Sequence, residues 1–267
     1  MNQKVVLITG VSSGIGRATA ELLARRGYRV FGGVRSPEKA TAIKDVTFVR
    51  IDVRDEASVK AGVESVLQRA GKIDVLINNA GYSIVGAVEE TSPEEAQALF
   101  DTNVFGVLRM SRAVLPAMRA QGSGRIINIS SVLGFLPAPF MGLYAASKHA
   151  VEGLSESLDH EVRNFGIRVV LIQPSFTRTG LDSNAAQTAL RINVYVDQFK
   201  RTIAAIKTTI KSAPEPEKVA ERILLAIEKP YRMRRPADGK AALLSKLRRF
   251  MPAGPVDKSL RKEFALS

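Results

Sequence analysis

The sequence predicts an α/β fold, a single Rossmann-type domain on a doubly wound parallel sheet, and three observations carry that prediction. Short apolar runs rich in β-branched residues alternate with longer amphipathic stretches through the first two-thirds of the chain. The runs are apolar at nearly every position, as strands covered on both faces must be. A glycine-rich turn follows the first run directly and leads into a helical pattern, where such sheets place their phosphate-binding loop.

The elements follow in order. Residues 4–9 (KVVLIT) read as a buried strand, and the pattern ATAELLARRG as the first helix. Further strands are predicted at 28–34 (YRVFGGV), 46–52 (VTFVRID), 73–79 (IDVLINN), 125–130 (RIINIS) and 167–173 (IRVVLIQ). Helices are expected near 56–70, from about 93 to 121, and around Tyr144 to about 164. Ligands of an open parallel sheet bind at the carboxyl ends of its strands, where Gly10, Asn78, Ser131 and Pro174 all fall.

With 267 residues, 45% of them hydrophobic, the chain can bury one large core. The expected organisation is a Rossmann domain over 1–230, with a substrate lid at about 180–211. A basic extension over 231–267 packs on the same domain. The absence of cysteine excludes disulfides and thiolate chemistry, and no metal site is expected. No apolar stretch approaches the roughly 20 residues that span a bilayer. The first strand begins too near Met1 to leave room for a signal peptide, so a cytoplasmic location is expected.

Two motifs carry chemistry. In Gly10-Val-Ser-Ser-Gly14-Ile-Gly16 the glycines allow close backbone approach, and the N–H groups and dipole of the following helix attract a diphosphate. Tyr144 and Lys148 stand four residues apart, which on a helix brings their Cβ atoms to about 5–6 Å on one face. A cation there favours tyrosinate, so the tyrosine can exchange a proton near neutral pH. Ser131 lies thirteen residues before Tyr144, and strand alternation turns its neighbour Ser130 to the opposite face.

Together, Thr9-Gly-Val-Ser-Ser-Gly-Ile-Gly16, Asn78-Asn-Ala-Gly81, Asn103, Ser131 and Tyr144-Ala-Ala-Ser-Lys148 resemble the signature set of the short-chain dehydrogenase/reductase family, over about residues 4 to 180. The steroid and retinoid branch is similar in GVSSGIG, VRSPEK and YAASKHAVEGLSESL, phrases shared with many bacterial oxidoreductases. The resemblance implies a nicotinamide-dependent oxidoreductase that interconverts a carbonyl and an alcohol. Its catalytic set would be Asn103, Ser131, Tyr144 and Lys148. Tyr144 supplies the proton and Ser131 a second hydrogen bond to the substrate oxygen, while Lys148 also holds the nicotinamide ribose. The family's counterpart of Asn103 lets backbone bind a water that feeds protons towards the lysine.

The cofactor contacts expected by the same resemblance are Gly10, Ser12, Ser13, Gly14, Ile15, Gly16, Arg35, Asp52, Val53, Asn79, Ala80, Gly81, Tyr144, Lys148, Pro174, Thr177 and Thr179. Past the second strand the chain reads Gly33-Val34-Arg35-Ser36, with no acid until Glu38. Arginine there tolerates a 2′-phosphate, so NADP(H) is favoured over NAD(H), with Arg35 as the clamp aided by Ser12. A solvated arginine at a strand end is the competing reading. Asp52 and Val53 match the family's adenine-contacting pair. One departure stands at Pro174-Ser175-Phe176-Thr177-Arg178-Thr179, where Ser175 replaces the family's glycine and puts nicotinamide positioning in doubt.

Phe135, Leu136, Pro137, Pro139, Phe140, Met141, Tyr82 and Phe176 are candidate walls for an apolar pocket, favouring a hydrophobic ketone or alcohol as substrate. Rival functions are a nucleotide-sensing protein without turnover, and epimerase or dehydratase chemistry on the same site. A homo-oligomer, dimer or tetramer, is expected, and no nucleic-acid partner.

Residues 229–267 carry eleven Lys or Arg against three acids, +8 of the chain's +13. Within them Leu243, Leu244, Leu247 and Phe250 recur at helical spacing opposite Lys246, Arg248 and Arg249. That basic amphipathic helix could close over the lid or a subunit face, make weak peripheral contact with a membrane, or offer a nucleic-acid patch.

Overall fold

The computed structural model describes residues 3–183 and 185–266. From the N-terminus the elements are β1 (Val5–Thr9), α1 (Gly14–Arg25), β2 (Arg29–Val34), β3 (Val46–Arg50), α2 (Glu56–Ala70) and β4 (Val75–Asn78). A short strand β5 (Ile84–Val85) precedes α3 (Pro93–Phe100), α4 (Gly106–Ala120), β6 (Gly124–Ile129), α5 (Gly142–Val162) and β7 (Ile167–Gln173). The last third adds α6 (Gly180–Ser183), β8 (Ala186–Gln187), α7 (Val196–Lys211), α8 (Pro216–Glu228), β9 (Arg234–Pro236), α9 (Gly239–Phe250) and α10 (Ala253–Glu263).

Seven strands form one parallel sheet in the order β3-β2-β1-β4-β6-β7-β9, the predicted doubly wound arrangement. Alternation in β1 shows why these strands are apolar throughout. Val6 and Ile8 pack towards α1 and α8, through residues such as Leu23 and Ile223, whereas Val5 and Leu7 pack towards α2 and α4, through Val63 and Met110. β5 and β8 pair in a separate two-stranded ribbon that ties residues 186–187 to the loop after β4.

Two features depart from the sequence expectation. The helix expected over 93–121 is interrupted by a π-helical turn over Asp101–Phe105, which carries Asn103. The sheet also gains the strand β9, which reads Arg-Arg-Pro and shows no apolar alternation. A proline is tolerated there because β9 is the sheet edge. Ion pairs fasten this strand: Arg234 bonds Glu152 at 2.9 Å and Glu156 at 2.6 Å, both on α5. These partners raise the guanidinium pKa, Glu156 most.

Asp159 on α5 locks the same region. Its side chain is fully buried and accepts from Arg163 at 2.9 Å, Arg168 at 3.0 Å and the Val169 N–H at 2.9 Å. Burial pushes the carboxyl up, but Arg168, the Val169 N–H and Tyr231 prevail and hold it below the usual range. A carboxyl lowered in this way contributes stability that is fully present above its unfolded value, near about 3.9, and is lost as pH falls through the lower folded value. Asp159→Ala leaves the buried Val169 N–H unanswered and the partly exposed Arg163 and Arg168 without their acceptor, and is expected to cost about 1–3 kcal/mol at pH 7. Urea denaturation checks this, and the gap to the parent protein should narrow below about pH 4.

Candidate active site

A cavity of about 990 Å³ opens at the carboxyl ends of the strands, running from the turn after β1 to the first turns of α5. At one end the backbone leaves β1 through Gly10, whose φ of +71° suits glycine, and a Cβ there would stand 2.9 Å from Ala80 Cα. A Cβ on Gly16 would collide with the Gly10 carbonyl and the Asn79 carboxamide. The glycines thus let the N-terminus of α1 press against the strand ends. Ser13, at that N-terminus, makes no side-chain cap, so the N–H groups of the first turn are not answered by their own capping residue. This cradle fits a nucleotide diphosphate.

The cradle is fixed from β4. The Thr9 hydroxyl accepts the N–H groups of Asn79 and Ala80, both at 3.0 Å, and the Asn79 carboxamide donates to the carbonyls of Thr9 and Gly10 at 3.0 Å. The Thr9 and Asn79 side chains act here through backbone, and the threonine before the first glycine is the signal for that role.

Arg35, Ser36, Asp52, Val53 and Arg54 line the far side of the same end. Asp52 is held by Arg54 at 2.7 and 3.0 Å, and that bond keeps its carboxyl below the usual range. The Arg35 guanidinium is exposed and has no hydrogen-bond or ion-pair partner among the described residues.

At the other end Ser131, Tyr144 and Lys148 line the cavity together with Pro174, Thr177 and Thr179. Tyr144 and Lys148 sit on the first two turns of α5 and are almost completely buried. Lys148 Nζ donates to the Ile129 carbonyl at 2.9 Å and stands 5.6 Å from the centre of the Tyr144 ring. The Ser131 oxygen accepts the Leu133 N–H at 3.1 Å, so its own proton is the one it has to give. Ser130 also borders the cavity, and its hydroxyl is buried beside Gly134 and Glu152.

Of the expected site residues, Gly10, Ser12, Ser13, Gly14, Ile15, Arg35, Asp52, Val53, Asn79, Ala80, Gly81, Ser131, Tyr144, Lys148, Pro174, Thr177 and Thr179 all line the cavity, whereas Gly16 and Asn103 do not. Asn103 lies behind the wall. Its carboxamide accepts the Tyr82 N–H at 3.1 Å and donates to the Tyr82 carbonyl at 2.9 Å and to Ser147 Oγ at 3.2 Å, and Ser147 in turn donates to the Tyr144 carbonyl at 2.7 Å. Asn103 therefore couples the Gly81–Tyr82 loop to the first turn of α5.

The expected apolar wall divides. Tyr82, Met141 and Phe176 line the cavity. Phe135 and Phe140 pack into the apolar cluster behind it, with the Phe140 ring edge-on to Tyr195 and Phe199. Phe140 adopts φ +57°, a strained conformation for an aromatic residue, and its carbonyl accepts the Gly86 N–H.

The segment after α6 is stapled by acids. Buried Glu90 accepts the N–H groups of Ala87 and Ile192 and pairs with Arg191 at 3.4 Å. Glu95 accepts the Ala189 N–H and Glu89 the Tyr195 hydroxyl. Burial pushes the Glu90 carboxyl up, but those amides and Arg191 outweigh it and hold it low. Ser175, at the position where glycine was expected, donates to Asp238 through its hydroxyl at 2.7 Å and its N–H at 3.3 Å. Asp238 also caps α9 by accepting the Ala241 N–H. The loop after β7 and the C-terminal helix are thus joined at one carboxylate.

A family profile described as "short chain dehydrogenase" matches residues 4–190. A 3-ketodihydrosphingosine reductase of Bacteroides thetaiotaomicron is 37% identical over 270 residues, covering the whole of both chains. Among solved structures, a short chain dehydrogenase/reductase of Burkholderia phymatum in complex with NAD superposes with a TM-score of 0.80 at 29% identity, over 93% of each chain. A short chain dehydrogenase of Burkholderia cenocepacia in complex with NADP does so with 0.79 at 26%, over 97% of this chain and 98% of the other. The chain belongs to the short-chain dehydrogenase/reductase family, and it is an NAD(P)-dependent oxidoreductase that interconverts carbonyl and alcohol groups.

Proposed function

We propose that the protein is an NADP(H)-dependent oxidoreductase acting on a hydrophobic ketone or secondary alcohol, with Tyr144 as general acid and base. The observation that carries this reading is the single cavity with a diphosphate cradle at one end and Ser131, Tyr144 and Lys148 at the other. A nicotinamide bound between them supplies or accepts the hydride. In the direction of reduction negative charge grows on the substrate oxygen, where Ser131 donates a hydrogen bond and Tyr144 transfers its proton. The Lys148 charge stabilises the oxyanion left on Tyr144, and its bond to the Ile129 carbonyl fixes where that charge sits. Asn103, through Ser147, is a positioning residue for the turn that carries Tyr144.

At the Tyr144 end the cavity wall includes Val132, Leu133, Met141, Phe176 and Leu181, which favours an apolar substrate. A relative named for reducing a long-chain ketone agrees with that choice. The lid over this end is the segment of about 180–211, which Glu90 staples at Arg191 and Ile192. The exposed Arg35, with no acid beside it after β2, favours the 2′-phosphate of NADP(H). Ser175 substitutes for glycine because its hydroxyl anchors the loop that carries Thr177 and Thr179. Presence of both Tyr144 and Lys148 argues against a sensor without turnover.

Tyr144→Phe is expected to keep NADPH binding, read by thermal shift, while losing at least about a hundredfold in kcat for any carbonyl the enzyme reduces. Undiminished turnover would remove Tyr144 from the reaction. NADPH should bind more tightly than NADH by about 1.5–3 kcal/mol, the worth of a charge-assisted bond to phosphate, and Arg35→Ala should erase most of that gap in titration calorimetry. Ser175→Gly should loosen the loop after β7, raising the KM for cofactor several-fold, with a smaller change in thermal midpoint than Asp238→Ala, which also removes the α9 cap. Equal kinetics in Ser175→Gly and the parent would show that the hydroxyl anchors nothing the reaction uses.

A further inference from the structure

The apolar residues of α9 do not all turn inward. Ala241 and Leu244 pack into the cluster that contains Tyr144 and Met141, and Arg248 donates to the Phe135 carbonyl at 3.3 Å. Leu243, Leu247 and Phe250 instead lie on the outer face, 56%, 36% and 78% exposed. At i, i+4 and i+7 they form one stripe, flanked by exposed Lys246 and Arg249. Two leucines and a phenylalanine held in water on one helix face are what a monomeric surface normally avoids. Lys240 ties α9 to α10 through Glu263 at 2.9 Å, and the Phe264 carbonyl beyond α10 accepts the Thr202 hydroxyl of α7, so the basic C-terminal helices are fastened to the body.

We propose that the outer face of α9 docks on an anionic lipid surface, with Phe250, Leu243 and Leu247 entering the interface and Lys246, Arg249 and the basic residues of α10 against the headgroups. Charge complementarity selects this occupant. A second copy of the chain meeting this face across a two-fold axis would bring the basic patch around Lys246 and Arg249 against its own copy, within a segment carrying +8. A nucleic acid would use the charges and leave the phenylalanine and leucines in water. An anionic bilayer uses both. No helix among the described residues is long and apolar enough to cross a membrane, so the contact is peripheral. The inner face of α9 packs against the Tyr144 cluster and its cap holds Ser175, so the docked helix is the one that backs the apolar end of the cavity.

The test is flotation of the full chain with vesicles of phosphatidylcholine alone or with about 30% phosphatidylglycerol, without substrate or cofactor, so that it stands apart from the reading of the reaction. Binding is expected only to the anionic vesicles, falling at least about tenfold between roughly 0.05 and 0.5 M salt. The double variants Leu243→Ser/Phe250→Ser and Lys246→Glu/Arg249→Glu should each lose binding while keeping the parent's thermal midpoint and gel-filtration volume. No flotation with anionic vesicles would overturn the proposal, as would flotation unchanged in both variants. A dimer that Leu243→Ser/Phe250→Ser breaks would assign the face to a second copy. Duplex DNA retained equally by the parent and by Leu243→Ser/Phe250→Ser, with no vesicle binding, would make it a polyanion patch.

Discussion

The Asn79 carboxamide, donating to the carbonyls of Thr9 and Gly10, is the contact on which the rest of the site depends. It closes the gap between the ends of β1 and β4 and leaves no room for any side chain at Gly16, so α1 must begin where its N-terminus faces the cavity. From Asn79 the backbone continues through Ala80, whose N–H meets Thr9, to the Gly81–Tyr82 loop gripped by Asn103. Asn103 then holds Ser147, and Ser147 holds the Tyr144 carbonyl. One relay of hydrogen bonds therefore fixes the distance between the phosphate cradle and the proton donor. Asn79 to Tyr82 are partly exposed at the cavity wall, whereas the bonds of Ser147 to Asn103 and to the Tyr144 carbonyl are buried, so the loss of Ser147 or Asn103 would leave an unanswered polar group away from water.

The acids of this basic protein have a second structural use. Glu90, Glu152 and Asp159 are buried, and each is paired with arginine: Arg191, Arg234, and Arg163 with Arg168. Each joins pieces distant in sequence or element. Glu90 holds the segment before α7, Glu152 holds the edge strand β9, and Asp159 holds α5 to β7. The energy of such pairs is largely the penalty for breaking them, which makes them fasteners of position more than sources of net stability. Each of these pairs is internally compensated, so they leave the net charge of +13 unaltered, and +8 of it lies over residues 229–267.

What the sequence made legible was what period and spacing encode. The apolar runs located β1, β2, β3, β4, β6 and β7, with ends misjudged by one or two residues where a polar residue such as Asp52 or Asn79 continues beyond the ladder into the cavity wall. Interval and order identified a cavity lining that includes Ser131, Tyr144 and Lys148. The π-turn around Asn103 was hidden because its residues are compatible with ordinary helix, and only tertiary bonds to Tyr82 and Ser147 favour the wider turn. The edge strand β9 was hidden because ion pairs, not alternation, place it. Phe135 and Phe140 were near the right place in sequence, but distance along a loop does not say which aromatic faces a cavity and which backs the wall.

The C-terminal helix shows the same limit and what lies beyond it. Helical spacing established that α9 is amphipathic, yet a stripe of four apolar residues cannot say how much of it is covered. Leu244 is turned inward with Ala241 while Leu243, Leu247 and Phe250 are not, and the Asp238 cap sets where the helix starts. That same carboxylate takes the Ser175 hydroxyl, so the start of α9 and the loop bearing Thr177 and Thr179 are held by one group. α9 is therefore joined to the reacting end of the cavity by two routes, the Asp238 carboxylate to the loop after β7 and Ala241 and Leu244 to the cluster that contains Tyr144. Glycine at position 175 could not make the hydroxyl bond, and the departure from the family pattern at this residue is where this chain acquires that connection.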